Sequence, residues 1–315
     1  MSNGTLLADA RSAADRLRLA GRPRMGEGLV RGALIACGWF VLGTTVAMLA
    51  FLARTGFRGL SEVGIGSLFA SDTWKPEAGS FGAQALIVGT FTSALGAILL
   101  GAAPAVLAAV WLTEFASESI RRVYRRVLEV ASAVPSVVYG WLALVYLVPI
   151  FERLAHAIHG DDAPVTGEGL AAAAFLLAVM ITPTVLLLSL DALARVPRAL
   201  RDASAALGAS PWQTAFTVSV PYGWRGLLVA TFFGFARAAG ETMAVQMVIG
   251  GARRLPREFF FSPTTTISAQ IVMDMQEARP GTPENDVLYS MALVLLIVSV
   301  LVVLVTRMLA RQQAR

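Results

Sequence analysis

The sequence predicts an all-α, polytopic membrane protein with six transmembrane helices. Three observations carry that expectation. Of the 315 residues, 56% are hydrophobic and 15% charged, whereas an ordinary soluble domain carries about 45–50% apolar and about 25% charged residues. The mean hydropathy is +0.65, and the apolar residues gather into six stretches, most of them free of charge and each long enough to span a bilayer. Of the 25 Arg and the single Lys75, all but Arg126 and Arg237 fall outside those stretches, concentrated in alternate loops.

Residues 32–53 form the first stretch, bracketed by Arg31 and Arg54. Residues 84–113 form the second, longer than one simple crossing needs, so that a tilt, an extension beyond the bilayer or a break near Gly101 and Pro104 is expected. The third, residues 126–150, contains Pro135. The fourth, residues 169–190, lies between Glu168 and Asp191. Residues 227–250 are the fifth and carry Arg237 and Glu241, and residues 287–306 are the sixth. Only helices or closed barrels satisfy the backbone in lipid. These continuous runs lack the alternation of barrel strands.

Charge sets the expected orientation. The N-terminal tail, residues 115–127, residues 194–225 and the C-terminal tail together hold 17 Lys and Arg. The intervening loops, 54–81, 152–168 and 251–287, hold 8. Both termini are therefore expected on the cytoplasmic side of the cytoplasmic (inner) membrane. Residues 1–31 read as an Arg-rich cytoplasmic tail, 32–310 as one transmembrane domain and 311–315 as a short cytoplasmic tail. The polar start shows no cleavage pattern after a short apolar core, so no signal peptide is expected.

Several chemistries are excluded. One cysteine, Cys37, allows no intramolecular disulfide framework and no multi-cysteine metal centre. A phosphate-binding P-loop needs Gly-Lys-Ser/Thr, and Lys75 sits in Asp72-Thr73-Trp74-Lys75-Pro76. His156 and His159, assigned to an outer loop beside Asp161 and Asp162, lack the spacing of a metal site. No enzyme, bound cofactor or metal is expected in this chain.

Residues 195–224 are too patterned for a linker. Alanine-rich sequence favours a short helix before Gly208, which can end it with a positive φ. Ser210 can cap a second helix with Pro211 at its first position. Asp202-Ala203-Ser204, Gly208 and Val218-Ser219-Val220-Pro221 resemble, at the same spacing, the E-A-A-x-x-x-G-x(9)-I-x-L-P loop of ABC-importer permeases. That resemblance implies a type I importer permease fold and an ATPase-docking loop, with Asp202, Ala203, Gly208 and Pro221 in the coupling positions. An ordinary helical hairpin is the bland alternative.

Arg237 and Glu241 are four residues apart in an apolar run, so they share a helix face and can pair. A charge at mid-bilayer costs about 2.5–3.5 kcal/mol on insertion scales. The pair therefore either fixes helix packing or belongs to a translocation pathway. The stretch Ala236-Arg237-Ala238-Ala239-Gly240-Glu241-Thr242-Met243-Ala244-Val245 resembles the G-R-A-x-G-E-T-M-A-V segment of phosphate-importer permeases of the PstC type, with Ala236 in place of the glycine. Val134-Pro135-Ser136-Val137-Val138-Tyr139-Gly140 is similar to that family's I-P-S-V-V-Y-G segment. Trp74-Lys75-Pro76, Phe81-Gly82, Gly89-Thr90 and the segment from Thr264 to Ile271 follow in the family's order.

This resemblance implies a permease subunit of an ATP-driven importer of inorganic phosphate. It implies a sister permease of the PstA type, two ATPase subunits (PstB-like) that hold ATP-Mg, and a periplasmic or surface phosphate-binding protein (PstS-like). Arg237 is the expected substrate contact, with Glu241 orienting it and Thr242 adding a hydroxyl. Arg253, Arg254 and Arg257 are candidates for docking the binding protein. A permease for sulfate or molybdate, or a secondary transporter or channel, is the alternative.

Overall fold

The computed structural model describes residues 25–75, 79–160, 166–256 and 260–311. Expectations placed on residues 1–24 and 312–315, Pro76, Asp161, Asp162 and Arg257 lie outside the described residues. The chain divides into two units after Arg54. The described part of the first is the leading part of α1 (Met25–Val63), and residues 28–51 are exposed along its whole length.

The second unit begins with the end of α1 and a short α2 (Ile65–Ala70). A two-residue hairpin follows, β1 (Trp74–Lys75) against β2 (Ser80–Phe81), with Trp74 opposite Phe81. Then come α3 (Gln84–Ala97), α4 (Ala103–Glu114), α5 (Glu118–Ala133), α6 (Ser136–Leu142), α7 (Val148–His159) and α8 (Leu170–Ala194). α9 (Arg198–Ala206) and α10 (Pro211–Thr214) form the loop that follows α8. α11 (Val220–Gly240), α12 (Met243–Gln246), α13 (Ile267–Asp274) and α14 (Pro283–Arg311) complete the unit.

Three π-turns join helices without breaking them. Ile98–Ala102 joins α3 to α4, Ala143–Leu147 joins α6 to α7, and Ala215–Ser219 joins α10 to α11. Each is followed two residues later by proline: Pro104, Pro149 and Pro221. A proline lacks its N–H and its ring crowds the carbonyl four residues back. In every case that carbonyl lies inside the π-turn, whose wider spacing absorbs the clash. The break expected near Pro104 is therefore a π-turn within a continuous helix.

Five helices among the described residues are long and apolar enough to cross a membrane: Gly28–Val63, Gln84–Glu114, Ser136–His159, Leu170–Ala194 and Pro283–Met308. The third begins ten residues later than expected. Val134 and Pro135 are extended, because the residue before a proline is pushed out of the helical region, and they separate α5 from α6. The fifth expected crossing, residues 227–250, is not one helix: α11 ends at Gly240. His156 and His159 lie in the last turn of α7 rather than in a loop.

α8 is the centre of the bundle, packed by α3, α4 and α11. Lipid tails are as apolar as leucine, so helices associate in a membrane through close approach of small residues. Ala172, Ala173, Ala174 and Ala178 of α8 are buried. A Cβ on Gly101 would lie 2.5 Å from the Ala178 carbonyl oxygen, so only glycine permits this spacing. Pro183 interrupts the hydrogen-bond ladder of α8, and Thr182 Oγ1 donates to the Ala178 carbonyl at 2.7 Å.

Candidate translocation site and coupling loop

α11 stops at Gly240. Glu241 is extended (φ −69°, ψ 130°), and the chain restarts as α12 after Thr242. The freed backbone is answered locally: Ser268 Oγ donates to the Glu241 carbonyl at 2.9 Å, and Thr242 Oγ1 donates to the Gly240 carbonyl at 3.3 Å. The Ala244 N–H points to Glu241 Oε1 at 3.5 Å. Gly240, Thr242, Ser268, Ile271, Leu295 and Ser299 border an open groove of about 340 Å³.

The expected Arg237–Glu241 pairing is corrected here. The shared face requires four residues of unbroken helix, and the chain leaves the helix at Glu241. Among the described residues no carboxylate lies within 4.0 Å of the Arg237 guanidinium. Arg237 is exposed, Glu241 and Thr242 are half-buried, and Arg237 does not line the groove. The packing explanation for the two charges therefore loses its ion pair.

A second broken helix crosses the first. α6 packs on α12, and a Cβ on Gly140 would lie 2.8 Å from Cα of Ala244. The two family-like segments, 134–140 and 236–245, thus meet just past their respective breaks. Discontinuous helices at depth in a membrane are tolerated where they line a cavity or are buried in protein.

The remaining matched segments also converge. Thr90 Oγ1 accepts from the Ile267 N–H at 2.9 Å, and Thr266 caps α13 through the Ala269 N–H. Trp74 Nε1 donates to Asp274 Oδ2 at 2.8 Å, and Arg253 Nη2 pairs with Asp274 Oδ1 at 2.5 Å. Arg253, a candidate for docking a binding protein, thus braces the buried Asp274, whereas Arg254 is exposed. Arg58 and the buried Asp286 make a comparable pair at 2.6 Å between the end of α1 and α14.

At the opposite end lies the loop read as a docking element. α9 ends as expected: Gly208 takes φ +84°, and the Gly208 and Ala209 N–H groups donate back to the carbonyls of Ala205 and Ser204. Ser210 caps α10 in a reciprocal pair with Gln213, which satisfies two otherwise orphaned donors. Asp202, Ala203, Gly208 and Pro221 are all exposed. Leu207 is 90% and Trp212 63% exposed, an apolar tip. From Ser210 the chain runs helically through the π-turn into α11, so the loop and Arg237 share one rod. At 1.5 Å per residue that rod is about 45 Å long.

The sequence reading missed Arg201 and Glu114. Arg201 Nη2 lies 3.0 Å from Glu114 Oε1 and donates to the Leu193 carbonyl at 3.0 Å; Nε donates to Glu114 Oε1 at 3.1 Å and to Ser219 Oγ at 3.3 Å. The only signal in the sequence is one unpaired charge at the end of an apolar run and an opposite one in the loop.

The model of the family described as binding-protein-dependent transport system inner membrane component matches residues 97–315. A probable ABC transporter permease protein of Bacillus subtilis (strain 168), YqgH, is 36% identical over 290 residues, covering 90% of this chain and 91% of that one. The phosphate transport system permease protein PstC of Pasteurella multocida is 32% identical, covering 86% and 87%. The PstC of Mesorhizobium japonicum is also 32% identical, covering 82% of each. Among solved structures, the inward-facing MetNI methionine ABC transporter matches with a TM-score of 0.51 at 19% identity, over 77% of this chain and 100% of that one. That likeness is one of fold: the expected type I importer permease architecture.

Proposed function

The chain belongs to the family of binding-protein-dependent transport system inner membrane components, and we propose that it is the PstC-type permease subunit of an ATP-driven importer of inorganic phosphate. It is a membrane-spanning subunit rather than an enzyme. The relatives named phosphate permeases support the substrate, and the exposed Arg237 is the observation that carries the site. A guanidinium on lipid-facing helix surface costs several kcal/mol, and no acid among the described residues lies within 4.0 Å to offset it. A polar surround supplied by a second permease removes that cost and lines a path for an anion.

In this reading the planar fork of Arg237 takes two phosphate oxygens at once. Glu241 and the Thr242 hydroxyl border the same helix break and temper the site, so that the anion binds weakly enough to leave. A dianion entering a negative cell costs roughly 4–5 kcal/mol per 100 mV before any gradient. ATP-Mg held by two partner ATPases supplies the work, delivered at the 195–224 loop around Asp202, Ala203, Gly208 and Pro221. A sister permease completes the pore, and a binding protein delivers phosphate from outside. Both termini face the cytoplasm, residues 1–31 and 311–315 being tails of the permease domain.

The experiment is uptake of labelled phosphate in cells whose own importers are deleted, with unlabelled sulfate and molybdate as competitors. Uptake that requires the ATPase genes and resists both competitors supports phosphate. Competition by either oxyanion overturns the substrate, and uptake without the ATPase overturns the class.

A further inference from the structure

Arg201 stands one residue before Asp202 yet turns inward. Its side chain is 22% exposed and that of Glu114 7%. Through one guanidinium it reaches the last residue of α4, a terminal carbonyl of α8 and the π-turn under α11. The contacts to Glu114 and Ser219 each answer a local deficit. Glu114 is a negative charge at a helix C-terminus, where the dipole disfavours it. The Leu193 carbonyl, at the end of α8, accepts from the Val196 N–H at 3.2 Å and takes Arg201 as a second donor. Ser219 is fully buried in the π-turn.

We propose that Arg201 is the positioning residue that makes a displacement of α9 a joint displacement of α4, α8 and α11. The inference rests on the reading of residues 195–224 as the ATPase-docking loop. A push on the exposed face of α9 at Asp202 and Ala203 moves Arg201 with it, and its three contacts belong to three different helices of the bundle. Ser204 Oγ and Thr214 Oγ1, 2.9 Å apart, link α9 to α10, and the Trp212 ring, 6.0 Å from that of Phe115, links α10 to the end of α4, so Arg201 is the polar link that runs from α9 itself to α4 and α8. A lysine cannot substitute, since a single ammonium lacks the fork that spans these acceptors.

The test uses the full complex in liposomes, with Arg201→Met, Arg201→Lys and Glu114→Gln beside the wild type. Two readouts are taken: phosphate moved per ATP hydrolysed, and ATP-dependent hydrogen exchange of α9 and of the last turns of α4 and α8. Arg201→Met is expected to keep its ATPase subunits and to move phosphate about tenfold less per ATP, the factor that loss of one charge-assisted hydrogen bond brings. Exchange then changes with ATP in α9 but less than in the wild type at the ends of α4 and α8, whereas in the wild type all three change together. Wild-type ratios and wild-type exchange in both Arg201→Met and Glu114→Gln overturn the proposal. So does a parallel fall in ATPase retention, hydrolysis and flux, which marks a merely structural role. If Arg201→Met fails to assemble, Arg201→Lys and Glu114→Gln decide by the same criteria. A wild type that moves no phosphate contradicts the substrate reading, and the exchange data still decide the coupling.

Discussion

Gly140 and Ala244 touch where two interrupted helices cross: a Cβ on Gly140 would lie 2.8 Å from Cα of Ala244 and 2.9 Å from Sδ of Met247. The partners are backbone and a packed thioether, so the larger side chain has nowhere to go. Gly140→Val is expected to lower stability by ~1–3 kcal/mol, the usual cost of overpacking. Thermal unfolding of the detergent-solubilised complex measures it, and an unchanged transition would show that α6 and α12 do not pack as described.

Gly208 ends α9 at φ +84°. Forcing an L-residue there costs ~1–2 kcal/mol, so Gly208→Ala is expected to fray the turn before Ser210. Asn tolerates this conformation better, so Gly208→Asn should lose less. Retention of the ATPase subunits on purification, in the order wild type, Asn, Ala, is the readout. Equal retention in all three would remove the turn from the docking surface.

Asp274 is 4% exposed and held by Trp74 and Arg253. Trp74→Phe removes one neutral donor to a charged group, at a cost of ~1.5–3 kcal/mol. Arg253→Met removes the counter-charge and leaves a buried carboxylate uncompensated, which costs ~3–5 kcal/mol for a fully buried pair and less here, because Arg253 is partly exposed. Arg253→Met should therefore unfold at the lower temperature of the two. The reverse order would mean that the hairpin, and not the ion pair, anchors α13.

Much of this was readable from residues alone. The cores of five spans, the Gly208 turn and the Ser210 cap follow from apolar run length and from local backbone chemistry, which need no tertiary context. The end of α11 at Gly240 was not visible, because the apolar run continues to Gly250 and composition does not distinguish a bent path from a straight one. The break at Pro135 was available in the preference of the preceding Val134 for extended backbone, but the long apolar stretch outweighed it. The meeting of Glu114 with Arg201, and of Trp74 with Asp274, joins residues far apart in the chain. The packing of α8 against α4 and the 195–224 loop brings the first pair together, and a separate apolar cluster around Trp74, Phe81, Ile267 and Leu288 the second. Arg237 was found by its charge and mispaired by its spacing.

Arg237, exposed and unpaired among the described residues, is the centre of the functional reading, and labelled-phosphate uptake by Arg237→Gln is its most direct measurement. The glutamine keeps a polar side chain and removes the charge and the fork. With the four-component complex shown intact by co-purification, uptake is expected to fall at least tenfold, the loss of a charge-assisted contact made to the moving anion. Wild-type uptake from an intact Arg237→Gln complex would contradict it and send the search for the phosphate contact elsewhere along the pore.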